Sequence, residues 1–436
     1  MAIITPPPPV ITLSGATASG VPPWVSGSGL WLNGKTWMNG AGVAVVPRGF
    51  DLDGYEDSVQ NGANPNTLYS WNQGGNLLGY FITAILAEWK PSIIRLMLTT
   101  SSILGQGTYD TNGNYHAPGQ TAQQYLAQVE TCVQMIQQGL NAAVVLGIRN
   151  SCPDAYVPGQ SGLVKMLPGN QGTMLDATNG IPAWVALAGL FGTGGTSTKV
   201  NRSAVLFDFF NEPIIGAGNP TGGGISGVTN TQIWGMIMGT MGYQNILCTQ
   251  YPDVTGGGKG TIYTSWQPAG HQQTLNAVRA ANANNICIFS GPNYTNPCSQ
   301  SGDYMGGWEI LSQQPGLIPV DPLVAQGYPA QIAVSWHPYQ NNAPQPGSGQ
   351  GGGPWTEFCN LPIAGIVLEF GDNSYGGQYG PAVCRWSDAN NIPIIAWSMN
   401  ATGSPCLITQ TTNGNGSPTK GYGDGVFSWM SNHSQP

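Results

Sequence analysis

The chain has 436 residues, of which only 7% are charged, and a formal net charge of −8 with 12 Lys and Arg in total. Ordinary globular proteins have about 25% charged residues. Binding to nucleic acid or to an anionic membrane needs a cluster of basic residues, and the sequence has none. The composition therefore argues against both classes of partner and favours a neutral polar one.

The frequencies of cysteine and lysine indicate whether the protein is extracellular. Sparse lysine with abundant Trp, Tyr, Asn and Gly suggests an extracellular protein, so we expect secretion and disulfide bonds among some of the eight cysteines. Cys287 lies within a predicted core strand, where a buried free thiol is the alternative. No Cys/His pattern has the spacing of metal ligands, and we expect neither a metal nor a cofactor.

The amino-terminal segment, residues 1–28, is rich in Pro, Ser, Gly and Ala, and we interpret it as a lead-in or linker. It lacks the basic start and the apolar run of a signal peptide, and no transmembrane segment is predicted in the chain. A single catalytic domain is expected over residues 29–436. Within Leu30–Trp37, strand-forming residues surround Asn33-Gly34, which predicts a β-hairpin with a two-residue turn.

Eight apolar segments follow the hairpin, each typical of a buried strand. They are Ala44–Phe50, Ile93–Leu98, Ala142–Ile148, Val205–Phe210, Asn285–Ser290, Ile332–Trp336, Gly365–Phe370 and Ile392–Trp397. Candidate helices lie between them, including Thr121–Gln138 and Gln273–Asn284. Strands alternating with helices predict parallel βαβ units, and eight units predict one closed (β/α)8 barrel, a TIM barrel of the α/β class, with long loops.

Two of these strands end in glutamate. The fourth runs into Asn211-Glu212-Pro213, and proline cannot continue a central strand, so Glu212 lies where the strand opens into a loop. Glu369 has the corresponding place on the seventh strand. Barrel enzymes carry their catalytic groups at such positions, and a glycosidase needs two carboxyl groups at one site. An ordinary loop carboxylate is the alternative for Glu212.

Other polar side chains are expected at the same mouth. Asn211 could hydrogen-bond a sugar hydroxyl, and Arg95 could keep a carboxylate nucleophile ionised. Arg95 could instead serve structure alone by pairing with Asp208 or Asp51.

His337 and Tyr339 could position the nucleophile and the sugar, although a packed core histidine is the alternative for His337. Trp397 offers a flat face for stacking on a pyranose ring, or it fills the core. Four further tryptophans in glycine-rich loops are open to the same two interpretations: Trp71, Trp266, Trp308 and Trp355. His271 is expected at the surface.

These motifs resemble glycoside hydrolase family 5, which contains cellulases and β-mannanases. The similar segments are, in chain order, Ile94-Arg-Leu96, Phe210-Asn-Glu-Pro213, Trp336-His-Pro-Tyr339, Leu368-Glu-Phe-Gly371 and Ala396-Trp397. Their order and spacing agree with the family from the hairpin to about residue 400. The resemblance implies that Glu212 is the acid/base and Glu369 the nucleophile of a retaining hydrolysis.

The chain departs from the family pattern at the end of the third strand. Many members have Asp-x-His there, whereas this chain has Gly147-Ile-Arg-Asn150, with Arg149 in place of the histidine and Asn150 next to it. The segment Gly49-Phe-Asp-Leu52 also differs from the usual Gly-hydrophobic-Asn. Arg149 either accepts an acidic substituent of the substrate or pairs with a carboxylate such as Asp154, and we favour the pair.

The resemblance implies an enzyme that cleaves a polysaccharide or oligosaccharide, and we expect it to be a monomer. Cellulose-like β-1,4-glucan is the first choice of substrate for an endo-acting glucanase. A β-mannan, a β-1,3-glucan or a microbial exopolysaccharide is the alternative, favoured by the changed third strand. An alternative of another class is a carbohydrate-binding barrel that has lost turnover.

Overall fold

Eight parallel strands form a closed barrel in the computed structural model of the chain. They are β1 (Arg48–Leu52), β2 (Ile93–Thr99), β3 (Ala143–Asn150), β4 (Val205–Asp208), β5 (Cys287–Ser290), β6 (Ile332–Trp336), β7 (Ala364–Val367) and β8 (Ile394–Ala396). Each strand pairs with the next, and β8 pairs with β1 through Ile394 and Arg48. The predicted (β/α)8 barrel is confirmed.

The structure describes residues 20–52, 86–109, 115–118, 120–150, 154–156, 163–165, 174–213, 229–241, 263–264, 269–298, 306–347, 352–372, 377–399, 405–409 and 417–432. Its helices are Ala87–Trp89, Thr100–Leu104, Ala122–Leu140, Gly180–Phe191, Asn230–Met238, His271–Ala280, Glu309–Gln313, Gly352–Cys359, Tyr379–Asn390 and Tyr422–Ser431, and Pro292–Thr295 forms a turn with left-handed residues inside it. Single 3-10 turns span Arg202–Ala204, Pro315–Leu317 and Val324–Gln326. Two small antiparallel sheets join Thr108–Tyr109 to Tyr115–His116, and Asp154–Tyr156 to Leu163–Lys165 and Tyr263–Thr264.

The predicted strand boundaries are shifted most at β1, which was expected over Ala44–Phe50. Pro47 has no backbone N–H to donate to a central strand, and β1 begins after it at Arg48. The residues before Pro47 belong to the hairpin instead, because Val45 donates to Trp37 O at 2.9 Å and Ala44 pairs with Met38.

The predicted hairpin is present, with its turn one residue later than expected. Its strands are Leu30–Asn33 and Thr36–Asn39, and Asn33 pairs with Thr36, which leaves Gly34 and Lys35 as the turn. Gly34 has a φ of +61°, a conformation that glycine adopts without the steric cost of a Cβ.

The hairpin closes the amino-terminal end of the barrel. Leu32 and Trp37 join the apolar cluster inside the strands, and the side chain of Gln331 bonds both backbone groups of Leu32, at 2.8 Å and 3.0 Å. Trp37 Nε1 donates to Gly365 O at 3.2 Å. A second, larger apolar cluster lies between the strands and the surrounding helices. The interior of the barrel is thus filled with apolar side chains at its amino-terminal end. The polar side chains lie at the opposite end, where the strands end.

Six cysteines lie within the described ranges, and no disulfide bond joins any of them. Cys287 is one of these thiols and is fully buried in β5, which agrees with the alternative considered for it. Cys152 and Cys248 lie outside the described residues. The expected disulfides are therefore not found in the described part of the chain, where burial makes most thiols part of the packing.

None of the described helices has the length and apolar character needed to span a membrane. The longest, Ala122–Leu140, instead begins with a capping box at Thr121 and buries one face against the barrel.

Candidate functional site

Glu212 lies at the mouth of the barrel, shortly after the end of β4. Its φ of +48° is a left-handed conformation that residues with a side chain adopt only at a cost, and Pro213 follows directly. The preceding backbone N–H, that of Asn211, donates to Ile148 O of β3 at 2.8 Å. Glu212 is only 8% exposed, so its carboxyl group has lost most of its contact with water.

The guanidinium of Arg95, on β2, is completely buried and contacts three carboxylates. It lies 2.6 Å from Glu369 Oε1, 3.0 Å from Asp51 Oδ2 and 2.6 Å from Asp208 Oδ2. It also donates to Asn211 Oδ1 at 2.6 Å. The contacts considered in the two interpretations of Arg95 are thus present together, since one guanidinium reaches both the structural aspartates and Glu369.

These contacts fix the charge of Arg95. Burial opposes the positive charge, but Asp208, Asp51 and Glu369 outweigh it and raise the pKa of Arg95 well above its usual value. For Asp208 the balance is the reverse: burial raises the pKa of this carboxyl group in spite of the neighbouring guanidinium.

His337 lies between the two glutamates. It is fully buried, with Nδ1 3.0 Å from Glu212 Oε1 and 3.5 Å from Glu369 Oε2. One atom each of Glu212, His337 and Glu369 lies within 4.8 Å of the other two. Atoms this close could also hold a metal ion, but hydrogen bonds within the protein already engage all three side chains.

Tyr339 contacts Glu369 from the other side. Its hydroxyl group donates to Glu369 Oε2 at 2.7 Å. Burial and the charges of Glu369 and Glu212 raise the pKa of Tyr339 well above its usual value, so the phenol keeps its proton and remains a donor.

The two glutamates have opposite pKa shifts. Burial and the negative charge of Glu369 raise the pKa of Glu212, although His337 and Arg149 oppose the change. Burial acts in the same direction on Glu369, but His337, Arg95 and the Tyr339 hydroxyl outweigh it and lower the pKa of Glu369. The site therefore favours a protonated carboxyl group next to an ionised one, which is the arrangement of an acid and a nucleophile.

Arg149 and Trp397 meet across the mouth from β3 and β8. The guanidinium carbon of Arg149 is 5.4 Å from the centroid of the Trp397 ring, within the range of a cation–π contact, and both residues are half-buried. Arg149 is also near enough to Glu212 to lower its pKa. Asn150 ends β3, but its side chain and that of Asp154 lie outside the described residues.

Tyr422 supports the site without having been predicted from the sequence. Its hydroxyl group lies 2.7 Å from the carbonyl oxygens of both Phe370 and Trp397. It thereby links the segments that carry Glu369 and Trp397. Tyr422 begins a helix close to the carboxyl end of the chain, and no sequence motif marks it.

Of the two interpretations left open for Trp308 and Trp355, the structure agrees with core packing: both are buried, Trp308 packs against Trp336 and Phe358, and Trp355 packs against Trp336. The expectation that His271 lies at the surface is wrong, since it is buried and its Nε2 lies 2.9 Å from Ser290 O. Glycine-rich flanks suggested exposed loops, whereas these side chains pack against the outer side of the strands. Trp71 and Trp266 lie outside the described residues.

Comparison with known proteins agrees with this geometry. Residues 79–403 match the family described as cellulase (glycosyl hydrolase family 5). No curated protein matches the chain significantly.

Solved structures of similar fold include a mannanase catalytic domain from Streptomyces sp. SirexAA-E, with 13% identity, a TM-score of 0.52, and coverage of 94% of this chain and 93% of that one. A β-mannanase from Thermomonospora fusca in complex with mannotriose has 13% identity, a TM-score of 0.51, and coverage of 92% and 97%. An endocellulase from Pyrococcus horikoshii in complex with cellotetraose has 14% identity, a TM-score of 0.53, and coverage of 92% and 99%. At these identities the similarity is one of fold.

The substitution Arg95→Met is expected to lower the free energy of unfolding by about 3–5 kcal/mol, because it leaves buried carboxylates without their cation. Arg48→Met is the matched control: the Arg48–Asp388 pair is partly exposed, and its loss should cost about 0–1 kcal/mol. Urea denaturation of both variants measures the difference. Equal losses would contradict the central place given to Arg95.

Proposed function

Because the chain belongs to glycosyl hydrolase family 5, a family of glycoside hydrolases, we propose that it is an endo-acting β-glycanase that cleaves a cellulose-like β-1,4-glucan with retention of configuration. The observation that carries this proposal is the pair of buried glutamates with opposite pKa shifts. The distance between the two carboxyl groups also supports a retaining mechanism. Retaining enzymes hold their carboxyl groups about 5–5.5 Å apart and inverting enzymes about 6.5–9.5 Å apart, and here the nearest atoms are within 4.8 Å.

In the first step, the carboxylate of Glu369 attacks the anomeric carbon while Glu212 gives its proton to the departing glycosidic oxygen. A covalent glycosyl ester on Glu369 and a free sugar hydroxyl result. In the second step, Glu212 accepts a proton from water as the water oxygen attacks the same carbon and releases Glu369. Arg95 and Tyr339 stabilise Glu369 as the leaving carboxylate in this step.

The remaining side chains of the mouth are assigned to positioning. His337 Nδ1 orients Glu212, and Asn211 Oδ1 is held by Arg95, which turns the amide so that its NH₂ group is available to a sugar hydroxyl. Trp397 is proposed to stack on the sugar ring that is attacked. Arg149 lies next to Trp397, on the same side of the cleft.

A panel of soluble polysaccharides with analysis of the products tests the substrate. We expect release of reducing ends from β-1,4-glucan as a mixture of oligosaccharides. A β-mannan, a β-1,3-glucan or an exopolysaccharide is the second candidate, favoured by Arg149 in place of histidine. If a fluorogenic β-disaccharide and every polysaccharide of the panel remain intact while a glycan still binds, the barrel is a carbohydrate-binding protein without turnover.

We also propose that the protein is secreted and acts as a monomer. The support is the composition alone: few charges, little lysine and many aromatic and amide side chains. Detection of the protein in culture medium and its mass in solution test these two points.

Glu369→Ala should abolish turnover and leave the melting temperature nearly unchanged, because Arg95 keeps Asp51 and Asp208 as partners. Glu212→Ala should lower kcat by roughly 10²–10⁴-fold on poor leaving groups and far less on activated aryl glycosides, which need no proton. Azide should restore turnover of the aryl glycoside by Glu212→Ala. If azide does not restore turnover by Glu212→Ala, the two roles are misassigned.

The pH dependence of kcat/KM should be bell-shaped, with its optimum on the acid side of neutrality. Activity rises as Glu369 loses its proton below the usual glutamate pKa, since its pKa is lowered, and falls as Glu212 loses its proton above that value, since its pKa is raised. The two groups interact, so each limb reports the pair. An optimum above about pH 8 would contradict the assignment.

Arg149→Gln should move the basic limb of this profile to higher pH, because the charge that lowers the pKa of Glu212 is removed. Hydrolysis of neutral β-1,4-glucan should persist. Profiles of both proteins on one substrate measure the shift, and an unchanged limb would show that Arg149 does not act on the acid. Selective loss of an acidic substrate, by roughly 2–5 kcal/mol, would instead identify Arg149 as its binding residue.

A further inference from the structure

The turn that follows β5 has an unusual backbone. Asn293, Tyr294 and Thr295 have φ values of +54°, +56° and +57°, so three consecutive residues with side chains are in the left-handed region. Such residues occur singly in most proteins, and a β-branched threonine is especially disfavoured there. Strain of this kind persists where the surrounding structure enforces it, and it is concentrated at functional sites.

The turn buries every side chain but one. Asn293 and Thr295 are 4% and 0% exposed, and Asn296 is 1% exposed, whereas Tyr294 is 36% exposed. The buried hydroxyl group of Thr295 has no hydrogen-bond partner in the described part of the chain. The threonine hydroxyl therefore does not explain the strained backbone, and the feature that the turn presents to solvent is the aromatic ring of Tyr294.

Hydrogen bonds tie this turn to both sides of Glu212. The backbone N–H of Tyr294 donates to Pro213 O at 3.0 Å, and the backbone N–H of His337 donates to Thr295 O at 3.2 Å. Since Pro213 follows Glu212 in the chain and His337 bonds its carboxyl group, Tyr294 is fixed beside the proposed acid.

The order of strands places Tyr294 on one side of the mouth. Glu212 follows β4 and Glu369 follows β7, so the ends of β5 and β6 lie between them on one side, and those of β8, β1, β2 and β3 on the other. Trp397 and Arg149 lie on the β8–β3 side. The sugar proposed to stack on Trp397 lies on the β8–β3 side. The leaving group is on the other side of the cleaved bond and therefore extends toward β5 and β6, where Tyr294 lies.

We propose that Tyr294 binds the sugar on the leaving-group side of the cleaved bond, as an aromatic platform next to Glu212. This inference rests on the proposed function of the two glutamates and adds a binding site for the acceptor part of a β-linked glycan. The strained turn serves to hold the ring in place before substrate arrives, so that binding does not have to order it.

The test compares two substrates that differ only in their leaving group. One is an oligosaccharide of the β-glycan that the parent protein degrades, and the other is an aryl glycoside of the same sugar, whose leaving group is not a sugar. Tyr294→Gly should lower kcat/KM for the oligosaccharide roughly tenfold and leave the aryl glycoside within about twofold. Its melting temperature should rise or stay unchanged, because glycine accepts a positive φ.

Two controls accompany this variant. Tyr294→Phe keeps the ring and should retain the oligosaccharide activity. Tyr328→Ala removes a tyrosine that packs against Trp24 just before β6, at the opposite end of the barrel, and should affect neither substrate.

Equal losses on both substrates for Tyr294→Gly would overturn the proposal, since they would mean that the turn supports Glu212 and not a sugar. Unchanged activity on both would overturn it as well. If the parent hydrolyses no glycan and no aryl glycoside, the proposed function itself fails, and the assignment of Tyr294 falls with it.

Discussion

The buried charge of Arg95 is the constraint on which the geometry of the mouth depends. A lone guanidinium inside a barrel is too costly to persist, and its partners come from separate strands: Asp51 from β1, Asp208 from β4 and Glu369 from the segment after β7. Satisfying this one cation draws the ends of these strands together. Asn211 is held in the same way, and Glu212 follows it directly, so the position of the proposed acid depends on Arg95 through Asn211.

The contact between Arg95 and Glu369 also makes the two glutamates chemically different. Both are buried, and burial alone would favour the neutral form of each. Glu369 receives hydrogen bonds from Arg95 and Tyr339 that favour its anion, while Glu212 has the anion of Glu369 as a neighbour. An identical side chain thus has a raised pKa in one position and a lowered pKa in the other, which suits the proposed roles of acid and nucleophile. The difference lies in what each strand end brings within reach and not in the residue type.

Much of the fold followed from the sequence because buried parallel strands are continuous apolar runs, and Ile332–Trp336 was predicted with its observed bounds. Side-chain burial was less predictable. Trp308 and His271 have polar or glycine-rich flanks, yet they pack beneath the helices, since local composition does not report which side of a strand or helix faces the core. The left-handed turn after β5 carries none of the glycines that usually mark such a conformation, and Tyr422 meets the site only through the tertiary fold.

The amino-terminal hairpin has a consequence for the order in which the protein is made. Leu32 bonds with Gln331, Trp37 with Gly365, and β1 with β8 at Ile394, so these contacts form only after residues much later in the chain have been made. During synthesis at about 5–20 residues per second, the apolar face of the hairpin remains without these partners for roughly 15 seconds or longer. Contacts of such large sequence separation make closure a late step. Because so few residues are charged, repulsion between emerging chains is weak, and the chain depends on its polar loops, or on a chaperone, to keep that face from associating with other chains.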